Sequence, residues 1–185
     1  MSRNDITTEV FLLEGTRHLQ NGEFQQARES YERTLRPEPE NLEALYGLGI
    51  ISQYHGKYED ARTFFERAIA VHEMSAPLLN SHGVVAARLG DTSSARQSFQ
   101  KALTCDPHFL EARKNLADLF IETGDYKNGI QEYKEILKNH PDDVETLLTV
   151  ANLYAEINDQ PSARFIFEKI LELDPGNALA KAKLS

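Results

Sequence analysis

The chain has 185 residues, of which 41% are hydrophobic and 26% charged, with 10 Gly, 7 Pro, a single Cys and a formal net charge of −9. This balance is that of a packed soluble chain and excludes collagen-like, low-complexity and disordered classes, and no apolar run nears the roughly 20 residues that cross a bilayer. The negative charge repels phosphate backbones and anionic headgroups, so neither nucleic acid nor membrane insertion is expected, and the lone Cys105 leaves no internal disulfide or Cys-rich metal cluster.

Residues 1–7 are read as a short lead-in. The opening segment MSRNDITTEVFLLEG mixes Arg3 with Asp5 and Glu9 and has no apolar run longer than Val10 to Leu13, so it lacks a signal-peptide core and a cytoplasmic location is expected. From residue 8 the chain repeats with a period of 34. Gly22-Glu23-Phe24, Gly56-Lys57-Tyr58, Gly90-Asp91-Thr92, Gly124-Asp125-Tyr126 and Asn158-Asp159-Gln160 mark one register, which delimits five units at 8–41, 42–75, 76–109, 110–143 and 144–177. Position 8 of the unit is small (Gly15, Gly49, Gly83, Ala117, Ala151), as is position 20 (Ala27, Ala61, Ala95, Gly129, Ala163). Position 24 is aromatic: Tyr31, Phe65, Phe99, Tyr133 and Phe167. Position 32 is a helix-ending proline in four units (Pro39, Pro107, Pro141, Pro175) and Glu73 in the second.

In the second unit Leu45, Leu48, Gly49 and Ser52 follow helical spacing before Gly56, and Ala61, Phe64, Phe65, Ala68 and Ile69 resume it afterwards. Each unit is therefore predicted as helix, tight turn, helix, with the turn residue in the left-handed conformation that Gly adopts freely and Asn158 tolerates. Residues 178–185, ALAKAKLS, open one more helix, either a solvating cap with Lys181 and Lys183 outward or the start of a sixth unit breaking off at Ser185. A lone hairpin of this length loses roughly 50 kcal/mol of chain entropy, which a single apolar stripe cannot offset, so the units must stack.

These columns closely resemble the tetratricopeptide repeat family, whose helix-turn-helix unit has small residues at positions 8, 20 and 27, an aromatic residue or Leu at 24 and Pro at 32. The resemblance covers residues 8–177 and departs at Arg113 (position 4) and at Glu14 and His82 (position 7). It implies an all-α, right-handed solenoid of five repeats plus the partial sixth helix. The RNA-reading pentatricopeptide family fails on the strict 34-residue spacing and on the acidic charge.

No catalytic constellation emerges. The histidines His18, His55, His72, His82, His108 and His140 are never three or four apart on a helix as a metal motif needs. His18 and His82 are expected in the core, satisfied by backbone groups, and His72, His108 and His140 in solvent near inter-unit turns. Cys105, beside Asp106, is read as structural. No phosphate-cradling glycine loop or nucleophile elbow occurs, and Gly47 and Gly49 serve helix packing. No cofactor and no metal are expected.

The remaining candidate is a surface. Positions 5, 9 and 12 of the first helices lie opposite the stripe that faces the core, and the family resemblance implies that they line a concave peptide groove. They are Leu12, Thr16, Leu19; Tyr46, Ile50, Gln53; Asn80, Val84, Ala87; Lys114, Asp118, Ile121; and Leu148, Asn152, Ala155. The first three units offer an apolar lining centred on Tyr46, the later ones the hydrogen-bonding Lys114, Asp118 and Asn152. Packing of Leu12, Leu19, Tyr46 and Ile50 against neighbouring units is the competing reading of that lining.

The Lys and Asn set with which chaperone-binding relatives hold a terminal carboxylate is missing: Leu12, Thr16, Gly47, Pro77 and Ser81 stand in its place from the first unit, and a start at the third unit matches only at Asn115. Chaperone tails are therefore not expected partners. By unit, the charge is −3 over residues 1–41, then −2, +1, −3 and −4, with +2 on the tail, favouring neutral-apolar or basic protein partners. The expected function is a non-catalytic protein-interaction scaffold. The alternatives are the repeat region of a longer enzyme of glycosyltransferase or methyltransferase type that recruits substrate or mediates oligomerisation, and homo-oligomeric assembly through an exposed end.

Overall fold

The computed structural model describes residues 3–71 and 75–184, with side chains from residue 7 onward. His72, Glu73 and Ser185 lie outside the described residues, and with them the expectations attached to them. Eleven helices and no strand occur among the described residues: α1 Arg3–Gln20, α2 Phe24–Leu35, α3 Leu42–Tyr54, α4 Tyr58–Val71, α5 Ala76–Arg88, α6 Thr92–Cys105, α7 Leu110–Glu122, α8 Tyr126–Asn139, α9 Val144–Glu156, α10 Gln160–Leu173 and α11 Ala178–Leu184. Helix α1 takes in the described part of the lead-in, and residues 178–184 are helical as expected.

The marker residues do what their chemistry requires. Gly22, Gly56, Gly90 and Gly124 have φ between +71° and +80°, and Asn158 has φ +61°, so each reverses the chain in the left-handed region. The second helix begins two residues on, at Phe24, Tyr58, Thr92, Tyr126 and Gln160. Asp91, Asp125 and Asp159 each accept a hydrogen bond from the backbone N–H three residues on (Ser94, Asn128, Ser162), whereas Glu23 makes no such bond. This capping column at position 16 was open to inspection in the sequence and belongs with the turn.

The chain forms two compact units, Met1–His108 and Phe109–Ser185, the first with three repeats and the second with two repeats and α11. In the first, Tyr31 packs with Ala27, Ala44, Leu48 and Ile51, and Phe65 with Leu45, Ala61, Ala68, Leu78 and Val85. In the second, Tyr133 packs with Ala117, Ile130, Ile136, Val150 and Leu153, and Phe167 with Leu147, Ala151, Ala163, Ile170 and Ala180. The small column has a steric cause. A Cβ added at Gly15, Gly49 or Gly83 would stand 2.7, 2.3 or 2.5 Å from the ring of Tyr31, Phe65 or Phe99 in its own repeat. Gly47 serves contact between repeats, since its added Cβ would lie 2.3 Å from Tyr31.

Arg113, at a position the family fills with a large apolar residue, is half-buried and paired with Glu132 at 2.8 Å. The expectation that His18 and His82 rest on backbone groups is corrected: their partners are side chains. His18 Nδ1 meets a Glu23 carboxylate oxygen, and His82 Nδ1 lies 2.8 Å from Ser98 Oγ. His108 and His140 are exposed. Cys105 is exposed too, so the structural reading gains no support from burial.

Candidate functional site

Every groove candidate at positions 5, 9 and 12 is at least partly accessible. Leu12, Thr16, Leu19, Tyr46, Ile50, Gln53, Asn80, Val84 and Ala87 in the first unit are half-buried. In the second unit Lys114, Ile121, Leu148 and Ala155 are half-buried, and Asp118 and Asn152 exposed. The apolar members also pack inward. Leu12 and Leu19 lean on the cluster around Tyr31, and Tyr46 and Ile50 on the cluster around Phe65. The Tyr46 ring centroid is 5.8 Å from that of Phe65, and its hydroxyl is 3.4 Å from Ser81 Oγ in the next repeat. Core support and an accessible edge thus coexist in one side chain, which suits a binding residue with a fixed rotamer.

Two polar candidates have structural tasks that the sequence reading missed. The Tyr31 hydroxyl donates to Thr16 Oγ1 at 3.3 Å, and the Tyr133 hydroxyl donates to an Asp118 carboxylate oxygen. Both pairs join position 24 to position 9 of the same repeat. Repeats two and three have Phe65 and Phe99 instead, opposite Ile50 and Val84. The signal was available as covariation between two columns: a buried phenol needs an acceptor, and a phenyl ring does not. Burial raises the Tyr31 pKa, the hydrogen bond with Thr16 opposes this and the Glu43 charge adds to it. Burial also raises that of Tyr133, with the Asp118 bond and charge adding. Asn152 stands in the fifth repeat, where position 24 is Phe167, so it has no phenol to serve.

Gln53 is distinctive in another way. Its Oε1 is buried without a hydrogen-bond partner, on the same α3 face as Tyr46 and Ile50, four and seven residues along from Tyr46. An unsatisfied buried acceptor costs about 1–3 kcal/mol.

Beside Leu12 a cleft of about 790 Å³ opens between α1, the α2–α3 turn and the start of α3, lined by Leu12 and residues 38–43. Asn41 shapes it: its Oδ1 caps α3 at the Ala44 N–H (3.0 Å) and its Nδ2 donates to Glu38 Oε2 (2.8 Å). The Thr16 hydroxyl lies 2.7 Å from Glu43 Oε1 and 3.0 Å from the Leu12 carbonyl oxygen. From outside, Arg67 Nη2 donates to the Pro39 carbonyl at 2.7 Å. None of the lining residues carries a positive charge. Among the described residues, no group of three or more His, Cys, Asp or Glu is arranged to hold a metal, and no helix is long and apolar enough to cross a membrane.

Known proteins place this architecture. No curated protein sequence matches the chain at a significant level. Two tetratricopeptide repeat profiles do match, one over residues 12–52 and 53–108, the other over 86–149 and 121–185. Among solved structures, MamA superposes with a TM-score of 0.83 at 21% identity, covering 94% of each chain. YrrB, a tetratricopeptide protein with an unusual peptide-binding site, gives 0.78 at 19% identity over 93% of this chain and 89% of its own. PilF of Pseudomonas aeruginosa gives 0.75 at 18% identity over 98% and 83%. At these identities the structures establish the fold, an all-α tetratricopeptide solenoid. With profile matches running from residue 12 to residue 185, the chain belongs to the tetratricopeptide repeat family.

Proposed function

We propose that this protein is an interaction scaffold whose first unit binds a peptide segment or helix of neutral-apolar or basic character along the exposed faces of α1, α3 and α5, without chemistry of its own. The observation that carries this reading is the face of α3, where Tyr46 and Ile50 present apolar surface beside the buried, unpaired Gln53 Oε1. Turning the Gln53 side chain outward would bring that oxygen to a peptide N–H, and the apolar side chains around it would exclude water from the bond. YrrB, which shares the fold, has a peptide-binding site and supports the class of ligand.

The test starts from peptides selected by display against the whole chain. Their affinity for a Tyr46→Ala, Ile50→Ala double variant should drop at least tenfold while helical content by circular dichroism stays the same. Undiminished affinity would remove the assignment to this face.

A further inference from the structure

The end of α2 carries two arginines that no other repeat matches. Arg33 and Arg36 occupy positions 26 and 29 of the first unit, where the later units have Arg67 and Ala70, Lys101 and Thr104, Glu135 and Lys138, and Lys169 and Glu172. Two of those later cations are taken up within the chain, Arg67 on the Pro39 carbonyl at 2.7 Å and Lys138 on Glu135 at 2.7 Å. Glu29 and Glu32 precede Arg33 and Arg36 by four residues, the spacing of a helical ion pair, yet Glu29 accepts instead from Gln25 at 2.9 Å. Among the described residues, no carboxylate pairs with either arginine.

Arg33 turns to an aromatic ring. Its guanidinium carbon stands 3.6 Å over the centroid of Phe11 in α1, at position 4, where the other units have Leu45, Leu79, Arg113 and Leu147. A guanidinium that uses its face on a ring keeps its in-plane N–H donors for an oxyanion, and the contact fixes where those donors lie. They border a pocket of about 510 Å³ between α1 and α2, lined by Thr7, Thr8, Phe11, Arg33, Arg36 and Pro37. That volume lies within the roughly 300–1,000 Å³ of ordinary ligand clefts. The helix dipole favours a cation in the last turn of α2, but it accounts for neither the second guanidinium nor the ring under the first.

Two guanidinia on one pocket set the charge of its ligand. A carboxylate offsets only one of them, whereas a phosphate monoester carries about −1.5 to −2 at neutral pH and three acceptor oxygens. We propose that the pocket binds a phosphate monoester, its dianion shared by Arg33 and Arg36 and its carrier group resting on the apolar surface of Phe11 and Pro37. The net charge of −9 opposes a nucleic-acid backbone, but a single phosphate is governed by the arginines it touches. The site shares no residue with the α3 face and does not depend on it.

Isothermal titration calorimetry on the whole chain tests this with phenyl phosphate and phenyl sulfate, which share a ring and a tetrahedral head and differ by one charge. Phenyl phosphate should bind about tenfold tighter, and its affinity should fall in high salt. An Arg33→Gln, Arg36→Gln double variant should lose about tenfold in phenyl phosphate affinity and bind the two esters alike, with unchanged helical content. Phe11→Leu, which restores the residue of repeats two, three and five, should also weaken phenyl phosphate, because Arg33 loses its platform. Phosphotyrosine in an Ala-rich peptide identifies the source: an affinity at or above that of phenyl phosphate marks a phosphorylated protein, a lower one a free phosphate ester. No binding of phenyl phosphate, equal binding of phosphate and sulfate by the wild type, or an affinity that survives the double variant would each overturn the proposal.

Discussion

The first and second units solve the same packing problem with different side chains. In the first unit, position 8 is glycine in every repeat, position 5 holds Leu12, Tyr46 and Asn80, and no basic residue lies on the groove face. In the second, position 8 is alanine, Arg113 pairs with Glu132 inside the helix pair, and Lys114 and Asp118 occupy groove positions. The first unit is thus tightly packed with mostly apolar groove positions, whereas the second pairs Arg113 with Glu132 and Asp118 with Tyr133. The lesson is that a shared period fixes the backbone, while ligand chemistry is set by a few columns that the period leaves free.

The largest effect should come from the glycine column. Gly49→Val places new atoms against the Phe65 ring, 2.3 Å from the first of them, and should destabilise the first unit by about 1–3 kcal/mol in urea denaturation. Ala151→Gly in the second unit should cost only about 0.5–1 kcal/mol, the helix penalty of glycine. Comparable losses would contradict the packing difference.

Acid should separate the units next. Burial, opposed by the Glu66 charge, holds the His82 pKa below the ordinary histidine value. The unfolded chain then binds the proton more readily than the folded one, so this contribution is fully present above a pH of about 6.5 and is lost below it, as pH falls through the depressed folded pKa. Asp143 in the second unit has a depressed pKa, so its contribution persists above the unfolded carboxylate value near 3.9 and is lost below it, as pH falls through the folded pKa. Amide exchange resolved by unit should show the first beginning to soften below a pH of about 6.5 and the second only below about 3.9. His82→Gln should flatten the first response, and a response that survives it would mean another group is responsible.

The smallest effects concern the phenols. Tyr31→Phe and Tyr133→Phe should each cost about 0.5–1.5 kcal/mol of unfolding free energy, as for a single hydrogen bond. Adding Thr16→Val to Tyr31→Phe should cost less than the sum of the two single losses, because the bond between the two hydroxyls is removed only once. A strictly additive double variant would mean that the pair of columns is not coupled.

The sequence made the fold legible because sterics repeat: the left-handed turns, the small residues under the rings and the closing prolines recur at fixed spacing in Gly56, Gly49 and Pro107 alike. It was less informative about the site. Positions 5, 9 and 12 could be placed on one face by helical geometry, yet Thr16 and Asp118 stand in that face while serving tyrosines from the partner helix. Only the folded pair of helices reveals that service. The cleft beside Leu12 was missed because its acidic rim lies in an inter-repeat turn, 26 to 31 residues after Leu12, outside any helical periodicity. The side-chain partners of His18 and His82 escaped for the same reason, since neither Glu23 nor Ser98 is adjacent on the helix that carries the imidazole.

The central claim is that the first unit is where a peptide binds. Hydrogen exchange on the whole chain, with and without a display-selected peptide, tests it most directly. The account predicts new protection in α1 and α3, over the helical turns that carry Leu12, Thr16, Tyr46, Ile50 and Gln53, and little change in α7 to α10. Protection confined to the second unit, or none at saturating peptide, would contradict it.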